Sequence, residues 1–446
     1  MKKFIGYALP AMLLIMSGLA VLMSLAYQDK EGGLKVGSAA AVAPEFPGGN
    51  QRWPDVAWGG GVYLVVWQEG SGYEGTADAN IWAARVSAEG KPLDPKGVVV
   101  CRAGHHQLYP KVTFDGSNFV VAWQDYRSGR DWDVFAARVS PDGKVLDPDG
   151  FPVADGPGNQ VHPNLASDGK QTFLVWSDLR PNPSGPERYV LAGTFLQDGK
   201  VAKPHGTVLS EFGKNGSLLG AIVRWEGEGY LIAAQKHPDG WSYGGSWLLR
   251  VKRDGQVEII PFDYFGHSYT LAADPKSRRA YLWSYRQVGH GSYNCVFQSA
   301  VWPKGERYLV VGMPQHYAPT NELWAASVYD GKNFLVVSER GTDVKAGQKA
   351  GVAVEVDLVA TRIDPASGQP LDFGSVRFEE KDPQKHGKQI EELRAKSPVG
   401  IVVAAEKGVF ERHPALASSG DGRSLLVYSR HAGPGNFTLR FVVLAE

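Results

Sequence analysis

Short runs of alternating apolar and polar residues, broken by Gly, Asp and Pro, fill most of this chain. Side chains on a strand point alternately to its two faces, so a period of two predicts β-strands with turns at the breaks. The runs come in an order that repeats. VYLVVWQEG (Val62–Gly70) leads to NIWAARVSAEGKPLDPKG (Asn80–Gly97), and NFVVAWQDYR (Asn118–Arg127) to DVFAARVSPDGKVLDPDG (Asp133–Gly150). TFLVWSDLR (Thr172–Arg180) leads in the same way to YVLAGTFLQDGKV (Tyr189–Val201). GYLIAAQ with SWLLRVKRDGQV, and AYLWSYR with NCVFQSAVW, are weaker copies. NFLVVSER with VDLVATRIDPASGQPLD, and SLLVYSR with FTLRFVVLAE, make the sixth and seventh.

A further short apolar strand precedes each copy. It is clearest after an aromatic residue or histidine set before proline: Trp53-Pro54, Tyr109-Pro110, His162-Pro163 and His413-Pro414. The first three prolines recur at about fifty residues, the spacing of a four-stranded propeller blade. The expected fold is therefore all-β: a β-propeller of seven four-stranded blades, each burying its faces against its neighbours. The last copy ends one strand short, while LKVGSAAAVAP, near Lys35–Pro44, stands where a fourth strand would run. That segment is expected to complete the last blade, closing the ring and covering an open edge. Trp67, Trp123 and Trp176 recur at the end of the second strand, with Asp125 and Asp178, then Arg127 and Arg180, just beyond. A residue that returns blade after blade reads as part of the frame, so WQDYR is architectural before it is catalytic.

The stretch VVAWQDYR…DVFAARVSPDG resembles a repeat of bacterial secreted and surface proteins with the consensus VVW-D-R … DIYAARV … DG. The likeness covers most of the chain after the N-terminal segment, strongly in the first three copies and weakly in the fourth and fifth. It implies a β-propeller and export. It implies no activity, because such repeats serve many uses.

Charge narrows the partners. Lys plus Arg and Asp plus Glu are both 47, a formal net charge of zero, which argues against nucleic acid. The N-terminus, MKKFIGYALPAMLLIMSGLAVLMSLAYQDK, sets two lysines before an apolar run that ends at Ser24-Leu25-Ala26. Residues 1–26 read as a secretory signal with a small-x-small cleavage site. The run is also near bilayer-spanning length, so an uncleaved anchor is the alternative and would be the chain's one membrane contact. Residues 27–34 then form a linker and 35–446 a single domain. RFEEKDPQKHGKQIEELRAKSP (Arg377–Pro398) is an insertion, with a short surface helix expected over KQIEELRAK. Cys101 and Cys295 could pair after export, but two buried free thiols are the simpler expectation. No His or Cys cluster accompanies them to build a metal site.

The first strand of a propeller blade is innermost, so the residues leading into it are expected around the mouth of the central channel. They are Gln51, Trp53, Gln107, Tyr109, Gln160, His162, Glu322, Trp324, Glu411 and His413. Aromatic faces beside carboxamides and carboxylates suit an amphipathic, hydrogen-bonding ligand such as a sugar. The architectural alternative is a set of rings plugging the channel, with the glutamines bonded to backbone. Asp125, Arg127, Asp131, Asp133, Asp178 and Arg180 are expected farther out on the same face. Asp125, Asp131 and Asp133 offer enough oxygens to raise Ca²⁺ as a ligand, whereas Arg127 and Arg130 among them favour ion pairs. No other cofactor is expected. Phosphate-loop and His-Glu-x-x-His motifs are absent. The expected function is binding or scaffolding, of a glycan or an envelope protein, at the cell surface or in the periplasm. The rival is a carbohydrate-active enzyme, glycosidase or lyase, with acids at the channel mouth.

Overall fold

A computed structural model of the chain describes residues 33–70, 78–179, 189–210, 217–237, 246–264, 267–287, 294–301, 307–313, 324–342, 355–366, 368, 371–372, 376–377, 400–431, 433 and 437–446. The regular elements among them are β-strands. They fall into seven antiparallel units in chain order, each a meander whose consecutive strands are hydrogen-bonded neighbours. In the first unit these are Gln51–Gly59, Val62–Glu69, Asn80–Ser87 and Val98–Cys101. The second runs Gln107–Phe114, Phe119–Asp125, Asp133–Val139 and Phe151–Ala154. The first strands of the other five are Gln160–Ser167, Ser217–Trp225, His267–Asp274, Ala325–Tyr329 and Phe410–Ser418. The sixth and seventh units are joined by one parallel bridge, Val356 to Phe410.

The seventh unit has only three strands of its own, and residues near the start of the described chain supply the rest. Lys35–Val36 pairs with Ala445 and Leu444, and Ala40–Ala41 with Phe441 and Arg440. Leu34 is buried against the sixth and seventh units, and Val42 against the seventh and first. The strand missing from the last copy is thus contributed by the segment expected from its sequence.

The apolar core is divided into wedges between successive units. Trp67 and Tyr63 of the first pack with Leu425, Val427 and Phe441 of the seventh. Phe119 and Val121 of the second pack with Leu64 and Val66 of the first. Tyr230 and Ile232 of the fourth pack with Phe173 and Val175 of the third. Both faces of each sheet are therefore covered, which is why the second strands read as near-continuous apolar runs. The first strands lie side by side in chain order, and that of the seventh unit lies beside that of the first. No sheet closes on itself through hydrogen bonds; the units meet mainly through side chains.

The recurring AARV…LDP words have a local purpose. Arg85 and Arg138, at the end of the third strand, each make a two-pronged ion pair with Asp94 and Asp147 of the following turn, the shortest contacts being 2.8 Å in both. Arg362 and Asp372 repeat the clamp at 2.7 Å in the sixth unit. A planar guanidinium meeting a carboxylate with two bonds fixes the turn's geometry.

The N-terminal residues 1–26 and the helix expected in the 377–398 insertion lie outside the described residues. Val376–Arg377 pairs with the outer strand of the fifth unit, Arg307–Met313, and so ties that segment to a neighbouring sheet. Among the described residues no helix is long and apolar enough to cross a membrane. Cys101 is a buried free thiol, which burial pushes up to about 12; the Cys295 side chain lies outside the described residues.

Candidate functional site

Each well-described first strand carries a bulge where the sequence places its aromatic-proline pair. The register skips from Arg52 to Asp55, Leu108 to Lys111, Val161 to Asn164 and Arg412 to Ala415. The residue before each proline is left-handed: Trp53 at φ 53°, Tyr109 at 53°, His162 at 55° and His413 at 54°. That region is unfavourable for bulky residues, so the surroundings must hold it. They do so through the preceding unit. The Tyr109 N–H donates to Gln68 Oε1 at 3.1 Å, His162 N–H to Gln124 Oε1 at 3.2 Å, and His413 N–H to Glu339 Oε1 at 2.8 Å. Sequence reasoning passed over Gln68, Gln124 and Glu339. The available signal was a polar residue near the end of an otherwise apolar second strand, directly after Trp67, Trp123 or Ser338.

The bulges aim their rings at one another. Trp53 lies 3.9 Å from His413, 4.9 Å from Trp324 and 5.1 Å from Tyr109, centroid to centroid. Trp324 and His413 are 5.6 Å apart, and Tyr109 and His162 6.0 Å. The five rings form an arc through the sixth, seventh, first, second and third units. One end is close-packed, with Trp53, Trp324 and His413 partly buried. Burial there pushes His413 down to about 3, so the ring is neutral. The other end is open. His162 is exposed, yet enough protein surrounds it to depress its basicity.

In the fourth unit the arc meets a gap. Gly220 occupies the bulge, left-handed at φ 58°, and a Cβ built on it would meet nothing within 4 Å. The space next to the His162 strand is therefore free of the ring that four other units place there. Glu322 lies outside the described residues.

The polar partners of the arc are less open. Gln51, Gln107 and Gln160 are all buried. Gln51 Oε1 accepts from the Leu439 N–H at 2.9 Å, and Gln107 and Gln160 donate to the carbonyls of Gly104 and Gly158 at 3.0 Å each. These are bonds to backbone, the architectural arrangement. Glu411 holds the same position in the seventh unit and is 2 % exposed. Burial, with Asp357 and Glu406 nearby, raises it to about 8, so at neutral pH it is a protonated acid standing in for a glutamine.

WQDYR is a clamp. Asp125 is wholly buried, accepting from Trp123 Nε1 at 2.7 Å and pairing with Arg127 at 2.7 Å. The Arg127 guanidinium also donates to the Asp149 carbonyl at 2.8 Å and lies 3.8 Å over the Phe135 ring. Trp176 Nε1 donates to Asp178 at 2.8 Å in the third unit; Arg180 lies outside the described residues. The tryptophan is seated by a glycine. A Cβ on Gly150, left-handed at φ 73°, would stand 2.5 Å from Trp123 Cη2, and Gly206 repeats this against Trp176. Asp131 accepts from the Gly158 N–H at 3.2 Å. Asp133 is buried and pushed up to about 7, by burial first and then by Asp131, Asp155 and Asp125. Among the described residues no group of three or more His, Cys, Asp or Glu is placed to hold a metal ion.

No protein-family model matches the chain, and no curated protein sequence matches it. Solved structures do. Polysaccharide lyase Uly1 superposes with a TM-score of 0.51 at 10% identity, over 96% of this chain and 95% of that one. A GH43_1 enzyme from Xanthomonas citri gives 0.39 at 11% identity, over 79% and 96%. The N10 neuraminidase-like protein of the bat virus A/little yellow-shouldered bat/Guatemala/060/2010 gives 0.44 at 13% identity, over 93% and 98%. The fold comparison rests on the lyase; at such identity it speaks for the fold and not for the chemistry.

Proposed function

We propose that this chain is an exported seven-bladed β-propeller that binds a carbohydrate at the mouth of its central channel. Seven meanders with their first strands in cyclic contact, and a seventh completed from the N-terminal side, support the propeller. The signal-like N-terminus and the resemblance of the repeat to secreted proteins support export.

The observation that carries the binding reading is the arc of Trp324, His413, Trp53, Tyr109 and His162, which ends in open space at Gly220. A complete ring of plugs would need an aromatic residue at the fourth bulge. An arc with a gap leaves a mouth edged by the exposed His162 imidazole and the partly buried Tyr109 ring, which suits the apolar faces and hydroxyls of a sugar. The enzyme reading draws on Glu411 and Asp133, carboxyls with raised pKa values, although both stand at positions of the repeat. Both are buried, at 2 % and 5 % exposure, and so stand where a glycosidic oxygen cannot reach them. Binding is therefore the better-supported function.

The test is titration calorimetry against a panel of oligosaccharides, with His162→Ala and Tyr109→Ala as controls. The reading expects at least one ligand whose affinity falls about tenfold or more in either variant, as loss of one stacking partner implies. Binding that survives both substitutions unchanged would remove the arc from the site.

A further inference from the structure

A second row of rings stands beside the open end of the arc. Between the second and third strands of the second unit, Tyr126 and Trp132 face each other, one step beyond the paired Asp125 and Asp133. Their rings are 5.0 Å apart and tilted by 41°, and His105 meets Tyr126 edge-on at 6.2 Å. Tyr126 and Trp132 are half-buried and His105 is exposed. Backbone bonds set this row against the arc. The Tyr126 N–H donates to the His106 carbonyl at 2.8 Å, just ahead of Tyr109 in the chain. The Trp132 carbonyl accepts from the Gln160 N–H at 2.7 Å, just ahead of His162, and the Trp132 N–H donates to Asn159 Oδ1 at 3.1 Å. The loop thus spans the two segments that deliver Tyr109 and His162 to the mouth.

The frame does not require these rings. By register, the first unit carries Gly70 and Ala79 where the second carries Tyr126 and Trp132. The seventh unit does place rings there, His431 and Phe437, but it seals them. They stack at 4.1 Å and 4°, and the Arg52 guanidinium lies 3.8 Å over Phe437. Arg52 follows Gln51 on the next unit; the residue that follows Gln160, next to Trp132, is the buried Val161. Among the described residues no cation lies over Tyr126 or Trp132. His105 departs from the repeat as well. It is left-handed at φ 62°, where the corresponding residue of the third unit is Gly158 at φ 87°. Glycine adopts that conformation freely, whereas a side chain there costs energy.

We propose that the row of Trp132, Tyr126 and His105 is an outer subsite for the carbohydrate bound at the mouth, so that the ligand is a chain of sugars running outward over the second unit. This rests on the carbohydrate-binding reading and narrows it to a ligand class, an oligosaccharide or polysaccharide in place of a single sugar. Tilted, partly exposed rings offer apolar faces to the apolar faces of successive pyranoses, and the inner rings at Tyr109 and His162 hold the end of the chain.

The experiment is calorimetric titration of the full chain with disaccharide, tetrasaccharide and hexasaccharide of the cello-, xylo-, laminari- and galacturono-series. Trp132→Ala and His105→Gly are compared with the parent, with melting temperature as the check on folding. The hydrogen bonds of Trp132 named above are main-chain bonds, which alanine keeps. His105→Gly is the second variant because glycine suits its left-handed backbone. In at least one series the parent should bind the hexasaccharide about tenfold or more tightly than the disaccharide. Trp132→Ala should remove most of that advantage and leave disaccharide affinity within about twofold. His105→Gly should reduce the advantage without lowering the melting temperature. Equal affinity at every length, an advantage that survives both substitutions, or a loss in Trp132→Ala that is the same at every length overturns this inference and leaves the mouth reading standing. Binding of no member of any series overturns both.

Discussion

Replacing Asp125 by alanine tests whether the Trp-x-Asp-x-Arg word is frame or function. Asp125 is fully buried and receives four donors: Trp123 Nε1 at 2.7 Å, the Arg127 N–H and Nε at 2.9 Å, and Arg127 Nη2 at 2.7 Å. Removing one partner of a buried ion pair costs about 3–5 kcal/mol, because the other charge is left without compensation. An orphaned indole N–H adds about 1–3 kcal/mol, partly overlapping the first cost. Arg127 keeps its bond to the Asp149 carbonyl and its seat on Phe135, which offsets some of this. A net loss of about 4 kcal/mol follows, read as a lower urea midpoint at pH 7. The double variant Asp125→Ala, Arg127→Ala should be more stable than Asp125→Ala alone by about 1–2 kcal/mol, since it no longer strands a charge. Calorimetry with whichever ligand the chain binds should show unchanged affinity under conditions where the variant remains folded. A variant within about 0.5 kcal/mol of the parent, or one that is stable but has lost binding, would refute the architectural reasoning.

Two further outcomes follow from the packing and the titrating groups. Deleting residues through Pro44 removes buried Leu34 and Val42 and leaves the outer edge of the final strand, Phe437–Ala445, unpaired. Burial of two such side chains is worth about 3–6 kcal/mol, and an uncovered edge invites self-association, so the shortened chain should melt earlier and sediment as oligomers at high concentration; the parent's melting temperature in a monomeric variant would contradict it. Glu411 keeps its proton in the folded chain up to about 8 but loses it in the unfolded chain near the ordinary value of 4.5, so stability should fall as pH rises between those values. Glu411→Gln should abolish that slope and gain on the order of 1–3 kcal/mol at pH 8 while changing little at pH 4.5. His413 works in the opposite sense: its ring stays neutral down to about 3 when folded, so stability is lost as pH falls from 6.5 toward 3. Urea midpoints across pH, with His413→Gln as comparison, separate the two limbs.

The repeat was readable because a strand records its environment in a period of two, and because a blade cannot bury both faces alone. Trp67, Trp123 and Trp176 announced the second strands, and the aromatic-proline pairs announced the first. The missing fourth strand of the last unit was found by counting, since its partner had to come from elsewhere in the chain. What the sequence hid was conformation. Nothing in Tyr109-Pro110 or His162-Pro163 says that the first residue is left-handed, since the pair by itself favours extended backbone. Without that turn, the roles of Gln68 and Gln124 are invisible, and Gln107 and Gln160 look free to meet a ligand when they are bonded to backbone. Gly220 was missed for the opposite reason. A glycine in a degraded copy reads as noise until four aligned positions show a bulky residue in the same strained geometry.

Filling that gap tests the central claim most directly. Gly220→Tyr places at the fourth bulge the kind of residue that Trp53, Tyr109, His162 and His413 are at theirs, in a backbone already left-handed at φ 58° and with nothing within 4 Å of the new Cβ. The substitution should cost about 1–2 kcal/mol for a non-glycine residue at positive φ. If the open end of the arc is a sugar-binding mouth, calorimetry at equal protein concentration should show the parent binding its oligosaccharide and Gly220→Tyr binding at least about a hundredfold more weakly, because the ring occupies the ligand's place. A folded Gly220→Tyr protein that binds with the parent's affinity would contradict the account.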